Sequence, residues 1–138
     1  MKTELAFTRF CITQEVVLRA TDDGGKTIRN LNEVELDKVK SALVNAGFNI
    51  YGKPSPTFSF SLKWKSNDSK TEWVAKFFQY SFKIRREEAV LEEEIWYQVY
   101  LFDENLKEKE TIGVHAWLDG AKDIVEGWIK LQIDIMGK

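Results

Sequence analysis

Ala20-Thr21-Asp22-Asp23-Gly24-Gly25-Lys26-Thr27 has the loose spacing of a phosphate-binding loop. Such a loop must follow a parallel strand and open directly into a helix, so that backbone N–H groups face the phosphates. Here Ile28 to Leu31 intervene before the next helical pattern, and Asp22 and Asp23 would repel an anion. The segment therefore reads as a hairpin turn. His115 is the only histidine and Cys11 the only cysteine, which excludes a Cys/His zinc cluster. Placed on a strand between Val114 and Ala116, the histidine reads as structural. Glu87, Glu88, Glu92, Glu93 and Glu94 could serve general acid–base chemistry, but a run of like charges is ordinarily a solvated surface. No motif names a reaction, and no catalytic residue is assigned.

The cations carry more pattern. Lys63 and Lys65 share one parity of a strand, and Lys83 and Arg85 share a parity on the next. If those strands pair, four cations gather on one sheet face, where the phosphates of a lipid or polynucleotide can bind. The competing reading is a solvated face neutralised by the glutamates that follow.

Length and composition bound the remaining choices. At 138 residues the chain is most simply one domain, long enough to bury a core. A net charge of -2 and a pI near 5.5 argue against a general nucleic-acid binder. The charge is uneven, with seven basic residues between Lys63 and Arg86 against only Asp68 and Glu72. One cysteine allows no intrachain disulfide and suits a reducing compartment. Met1-Lys2-Thr3-Glu4 lacks the apolar core of a signal peptide. No apolar run approaches the roughly 20 residues that span a bilayer. The expectation is a cytoplasmic protein with at most peripheral membrane contact.

The elements that position these residues centre on the segment from Thr57 to Phe102, which is dense in aromatic residues. Phe58, Phe60, Leu62 and Trp64 alternate with Ser59, Ser61, Lys63 and Lys65, as in a strand with one buried and one wet side. Val74, Phe78, Tyr80, Phe82 and Ile84 read as a second such run. Ile95 to Phe102 is apolar on both parities except at Gln98, which suits a central strand. These strands predict a meander that needs a covering layer.

Leu5 to Ala20 reads as one long, bulged strand, turned at Thr21 to Gly25, with Lys26 to Arg29 as a short return. Asn32 to Ala46 predicts a helix: Asn32 caps it, Glu35 completes a capping box, and Leu36, Val39, Leu43 and Ala46 form an apolar stripe ended at Gly47. Ser66 to Lys70 and Asp103 to Lys109 are polar loops, the second leading into a strand from about Glu110 to Leu118. Arg86 to Glu94 fits either a wide turn or a ragged strand start. Near the C-terminus two periods compete. Leu118, Ala121, Val125, Trp128 and Gln132 lie at helical spacing. Ile129, Leu131, Ile133 and Ile135 alternate with Lys130, Gln132 and Asp134, and Gly120 and Gly127 weaken a long helix. This predicts a helical turn near Lys122–Glu126 and a last strand from Trp128.

The last third resembles the end of a C2 domain. In that family an apolar strand runs into an acidic Asp-x-Asp loop, followed by a third acidic residue with an Ile-Gly pair and later by a Gly-Trp/Tyr-x-x-Leu strand. This chain has Tyr100-Leu101-Phe102-Asp103-Glu104-Asn105, then Glu110-Thr111-Ile112-Gly113, then Gly127-Trp128-Ile129-Lys130-Leu131. Lys70-Thr71 and Tyr80-Ser81-Phe82 match the family's Lys-Thr and Phe-x-Phe strands. The likeness covers about residues 57 to 131. It departs in lacking the Ser-Asp-Pro-Tyr segment, with only Pro54-Ser55-Pro56-Thr57 near its place, and in having the helix at 32–46. By resemblance, calcium ligands reduce to Asp103, Asn105 and Glu110, and Lys63, Lys65, Lys83 and Arg85 correspond to a lysine-rich lipid-binding patch.

The expected fold is mainly β: a two-layer antiparallel β-sandwich with one amphipathic helix. The alternative is an α+β helix-grip arrangement around an apolar cavity, and the C-terminus distinguishes the two. The expected function is a non-enzymatic, C2-like interaction module that docks on a protein partner or an anionic membrane surface, with no cofactor apart from possible calcium. Two other readings are a small-molecule carrier or enzyme with a cavity under the aromatic sheet, and single-stranded nucleic-acid binding by aromatic stacking. The last requires several of Trp64, Trp73 and Phe77 to be exposed.

Overall fold

The computed structural model describes residues 3–10, 12–48, 61–89, 91, 94–104 and 107–136. These form two β-sheets and two helices, so the chain is mainly β with antiparallel sheets, as its sequence predicts. The chain divides into two compact units, Met1–Leu62 with Lys130–Lys138, and Lys63–Ile129.

The first unit holds β1 (Glu4–Phe10) and β2 (Glu15–Thr21), paired antiparallel from Glu4↔Thr21 to Phe10↔Glu15. The predicted single long strand is therefore a hairpin. Nothing in its turn advertises it, because Gln14, not glycine, takes the left-handed φ of 57°. Thr13 Oγ1 accepts from Glu15 N–H, and Gln14 N–H donates to Phe10 carbonyl. β3 (Ser61–Lys63) lies beside β2. Val16, Leu18 and Ala20 are buried along one parity of β2. The return at Lys26 to Arg29 is a single bridge, Ala20↔Arg29.

Helix α1 (Glu33–Asn45) forms as predicted. Asn32 Oδ1 accepts from Glu35 N–H at 2.8 Å while Glu35 Oε1 accepts from Asn32 N–H at 3.0 Å, the reciprocal capping box. Val39, Ala42 and Leu43 are its buried residues. Gly47, at φ 93°, donates to Val44 carbonyl and Phe48 to Leu43 carbonyl, so the helix ends in a Schellman-type turn.

The second unit carries the meander as five strands in chain order: β4 (Lys65–Ser66), β5 (Glu72–Phe77), β6 (Tyr80–Ala89), β7 (Glu94–Asp103) and β8 (Glu108–His115). Two of the aromatic runs are divided. The first breaks at Trp64 between β3 and β4, with Leu62 and Trp64 buried as the alternation predicts; Phe58 and Phe60 lie outside the described residues. The second turns back at Phe78-Gln79, where Phe78 accepts a φ of 57°. This corrects the face of Val74: the inward residues of β5 are Trp73, Ala75 and Phe77, and Val74 points outward. Strand β6 continues to Ala89 and β7 starts at Glu94, so the Arg86 to Glu94 region is largely paired strand.

The C-terminal segment corrects the largest expectation. Helix α2 runs from Leu118 to Met136, and no strand begins at Trp128. Ala121, Val125, Ile129 and Ile133 are buried at four-residue steps, whereas Leu131 is 53% exposed. A strand would place Leu131 on the same face as Ile129 and Ile133, whereas a helix turns it away. Trp128 packs edge-on against Tyr80 and Phe82, at 5.1 and 5.5 Å between ring centroids, so α2 covers the inward face of the five-stranded sheet. Among the described residues no helix is long and apolar enough to cross a membrane.

Candidate functional site

The inward face of the five-stranded sheet is core. Trp73, Ala75, Phe77, Phe82, Ile84, Val99 and Leu101 are all buried. Trp64, Trp73 and Phe77 are among the buried residues, so base stacking on those rings has no surface to use.

The outward face is where the register gathers the candidate cations. Lys65 pairs with Val74, Val74 with Lys83, and Lys83 with Tyr100. Cross-strand partners share a face, so these four form one row across β4, β5, β6 and β7. Arg85 stands one row away on the same face, opposite Glu72 and Gln98. The strands of Lys65 and Lys83 thus do not pair directly, since β5 lies between them. Lys63 belongs to β3 of the other sheet and does not join the row.

Electrostatics temper the patch. Lys83 Nζ lies 3.4 Å from Glu72 Oε1, and Arg85 Nε 3.3 Å from Glu87 Oε1. Lys76, also outward on β5, meets Glu104 at 2.9 Å. Hydrogen bonds from Lys76 and then Ser81 hold the Glu104 carboxyl below the usual carboxylate range. Lys65 makes no ion pair with any described residue. Lys109 of β8 sits 4.2 Å from the centroid of the Tyr100 ring, a cation–π contact.

The sequence reading missed the apolar part of this face. Trp96, Tyr100 and Phe102 share the parity of Gln98 in β7 and are half-buried, while Val74 is exposed. Gln98 was the available signal, because one polar residue in an apolar strand marks the outward parity.

Of the predicted calcium ligands, Asp103 and Glu110 lie on β7 and β8, on either side of the connection between them. Asp103 ends β7 opposite Glu108, and its carbonyl accepts from Lys107 N–H. Glu110 is exposed on β8 opposite Leu101. Asn105 lies outside the described residues, and among those described no three His, Cys, Asp or Glu side chains gather to hold a metal ion.

Two other segments resolve structurally. In the glycine-rich segment Asp23 accepts from Thr27 N–H and hydroxyl and from the Thr21 hydroxyl, closing a turn with no helix start. Next to it Arg29 bridges Asp22 and Glu35 with contacts of 2.7 Å to each. The hydrogen bonds from Arg29 and then from Thr3 lower the Asp22 carboxyl to about 2. At the start of α2, His115 Nδ1 accepts from Trp117 N–H at 3.0 Å, and its imidazole occupies the space a Cβ would take at Gly120. His115 is thus a capping group, in keeping with its structural reading. Cys11 lies outside the described residues, as do Glu92 and Glu93.

No protein-family model, no curated protein and no solved structure matches this chain. The Gly127 to Leu131 segment, a strand under the C2 resemblance, lies within α2.

Proposed function

We propose that this chain is a non-enzymatic interaction module that docks on a protein partner through the outward face of its five-stranded sheet. The observation that carries this reading is the cross-strand row Lys65–Val74–Lys83–Tyr100, flanked by Arg85, Trp96 and Phe102. Aromatic rings and arginine framed by charge are the composition of protein-docking surfaces.

Magnitudes choose between a protein and an anionic membrane. Each cation near an anionic membrane contributes roughly 1 kcal/mol. Glu72, Glu87 and Glu104 already stand beside Lys83, Arg85 and Lys76. The net attraction that remains is too small to hold the protein at a bilayer at physiological salt. A partner surface can instead match cation and carboxylate alike.

The test uses a photo-crosslinking amino acid at position 74, in cells that normally make the protein, with position 37 on α1 as control. A defined partner captured at 74, absent at 37 and lost on Tyr100→Glu, supports the reading. Identical capture at both positions, or none at 74, defeats it. Salt-sensitive sedimentation with anionic vesicles, lost when Lys65, Lys83 and Arg85 become Gln, would transfer the same face to lipid. Calcium dependence of that sedimentation would point to the Asp103 turn.

A further inference from the structure

The connection between β8 and α2 is tied by the chain's only histidine. His115 Nδ1 accepts from Trp117 N–H at 3.0 Å, and Trp117 carbonyl accepts from Ala121 N–H at 3.0 Å, the bond that opens α2. The imidazole lies in the space that a Cβ would take at Gly120, so glycine there lets the ring reach the cap. His115 is exposed, and solvent protons reach it. Trp117 presents an indole to solvent, the residue being 71% exposed, while Ala121 one turn on is fully buried. A histidine cap differs from one made by Ser or Asn because only the neutral imidazole accepts. Nδ1 keeps its lone pair while the ring's single proton is on Nε2. Protonation makes both nitrogens donors, so Nδ1–H would face Trp117 N–H, and it adds positive charge at the positive end of the helix dipole.

We propose that His115 is a pH-operated latch on the start of α2. With the ring neutral the latch is closed, and Trp117 is held between the His115 cap and the Ala121 bond. With the ring protonated the cap is lost, the ring leaves Gly120, and Trp117 loosens with the first turn. The titratable and charged groups on the surrounding elements are Tyr97 of β7, directly opposite His115, and Arg86 of β6 beyond it. The first two turns of α2 add Asp119, Lys122 and Asp123. The aspartates favour the imidazolium, whereas Arg86 and Lys122 oppose it. These opposed charges leave the lost acceptor at Nδ1 as the deciding change. Histidine is the side chain whose charge responds nearest neutral pH, so the latch opens on mild acidification.

The experiment is an NMR pH titration of the full chain, in which every imidazole signal belongs to His115. Above the midpoint of the ring, its nitrogen shifts are expected to show the tautomer protonated at Nε2. As pH falls through that midpoint, protection of Trp117 N–H against hydrogen exchange, corrected for the intrinsic pH dependence of exchange, should drop about fivefold or more. That ratio corresponds to loss of a cap worth about 1 kcal/mol. In His115→Asn the carboxamide oxygen can accept from the N–H two residues on but does not titrate, so protection should stay level across the range. A neutral ring that carries its proton on Nδ1 overturns the proposal, as does Trp117 protection that ignores the midpoint of the ring. A drop of equal size and midpoint in His115→Asn assigns the change to another group and overturns it too. The latch uses none of the residues of the Tyr100 row, so these results do not bear on docking there.

Discussion

Trp73 and Val74 are adjacent in β5, yet they live under different physics. Trp73 faces inward among Phe82, Ile84 and α2's partners, where every neighbour constrains shape. Val74 faces outward between Lys65 and Lys83, with more than a third of its surface exposed. The same alternation repeats along β6 and β7. One parity of the sheet is thus committed to packing against α2, and the other is left to charge, aromatic edges and solvent. The inward parity specifies the fold, so function is sought on the outward one.

Breaking the inward face should have the largest effect. Phe82 is fully buried and touches Trp128, so Phe82→Ala is expected to remove about 3–5 kcal/mol of stability in urea unfolding. A loss below about 1 kcal/mol would mean that α2 does not pack on this sheet as described.

The covering helix offers a sharper, smaller test at Gly120. Alanine there gains helix propensity of roughly 0.5–1 kcal/mol but must displace the His115 ring. Displacement loses the cap on Trp117 N–H, worth about 1 kcal/mol. Gly120→Ala alone should therefore leave stability nearly unchanged, whereas in a His115→Ala background it should stabilise by about 0.5–1 kcal/mol. A double-mutant cycle showing no coupling between the two sites would contradict the packing of this ring on the helix start.

How legible these features were depends on whether one residue or many encode them. The α1 cap was visible because Asn32, Glu35 and Gly47 each do a local job that their side chains or backbone alone explain. The burial of Leu62 and Trp64 followed from alternation. The turns at Gln14 and Phe78 were invisible, since neither residue favours positive φ and only the strand pairing on both sides forces it. The C-terminus held two periods at once, and Leu131 could be placed only when the sheet beneath α2 was known. Of the four predicted cations, parity correctly placed Lys83 and Arg85 together, but the break at Trp64 that removes Lys63 has no local signal.

Charge clusters sharpen the comparison further, because not every exposed charge is idle. Arg29 ties Asp22 to Glu35 and so joins the Thr21–Thr27 turn to the capping box of α1. Asp22 titrates near 2 in the folded chain, below the unfolded value of about 3.9. A depressed carboxylate contributes stability that is present above the unfolded value and is lost as pH falls from about 4 towards 2. Acid titration of thermal stability should therefore be flatter in that window for Asp22→Asn than for the parent. An unchanged slope would show that the bridge forms without consequence.

The outward ion pairs should behave otherwise. Lys83 and Glu72 meet at 3.4 Å with side chains 42% and 35% exposed, so solvent and salt screen them. Each long side chain also loses rotamer freedom to hold the contact. Lys83→Gln is accordingly expected to change stability by less than about 0.5 kcal/mol, and what effect there is should shrink as salt rises from about 0.05 to about 0.5 M, conditions that span the screening range. A loss exceeding about 1 kcal/mol would make Lys83 part of the scaffold, and the division between a packing face and a docking face would fail at the residue on which it most depends. Small stability changes at Lys65, Lys83 and Arg85 would leave those side chains free to vary with a partner, since the fold itself would place little constraint on them.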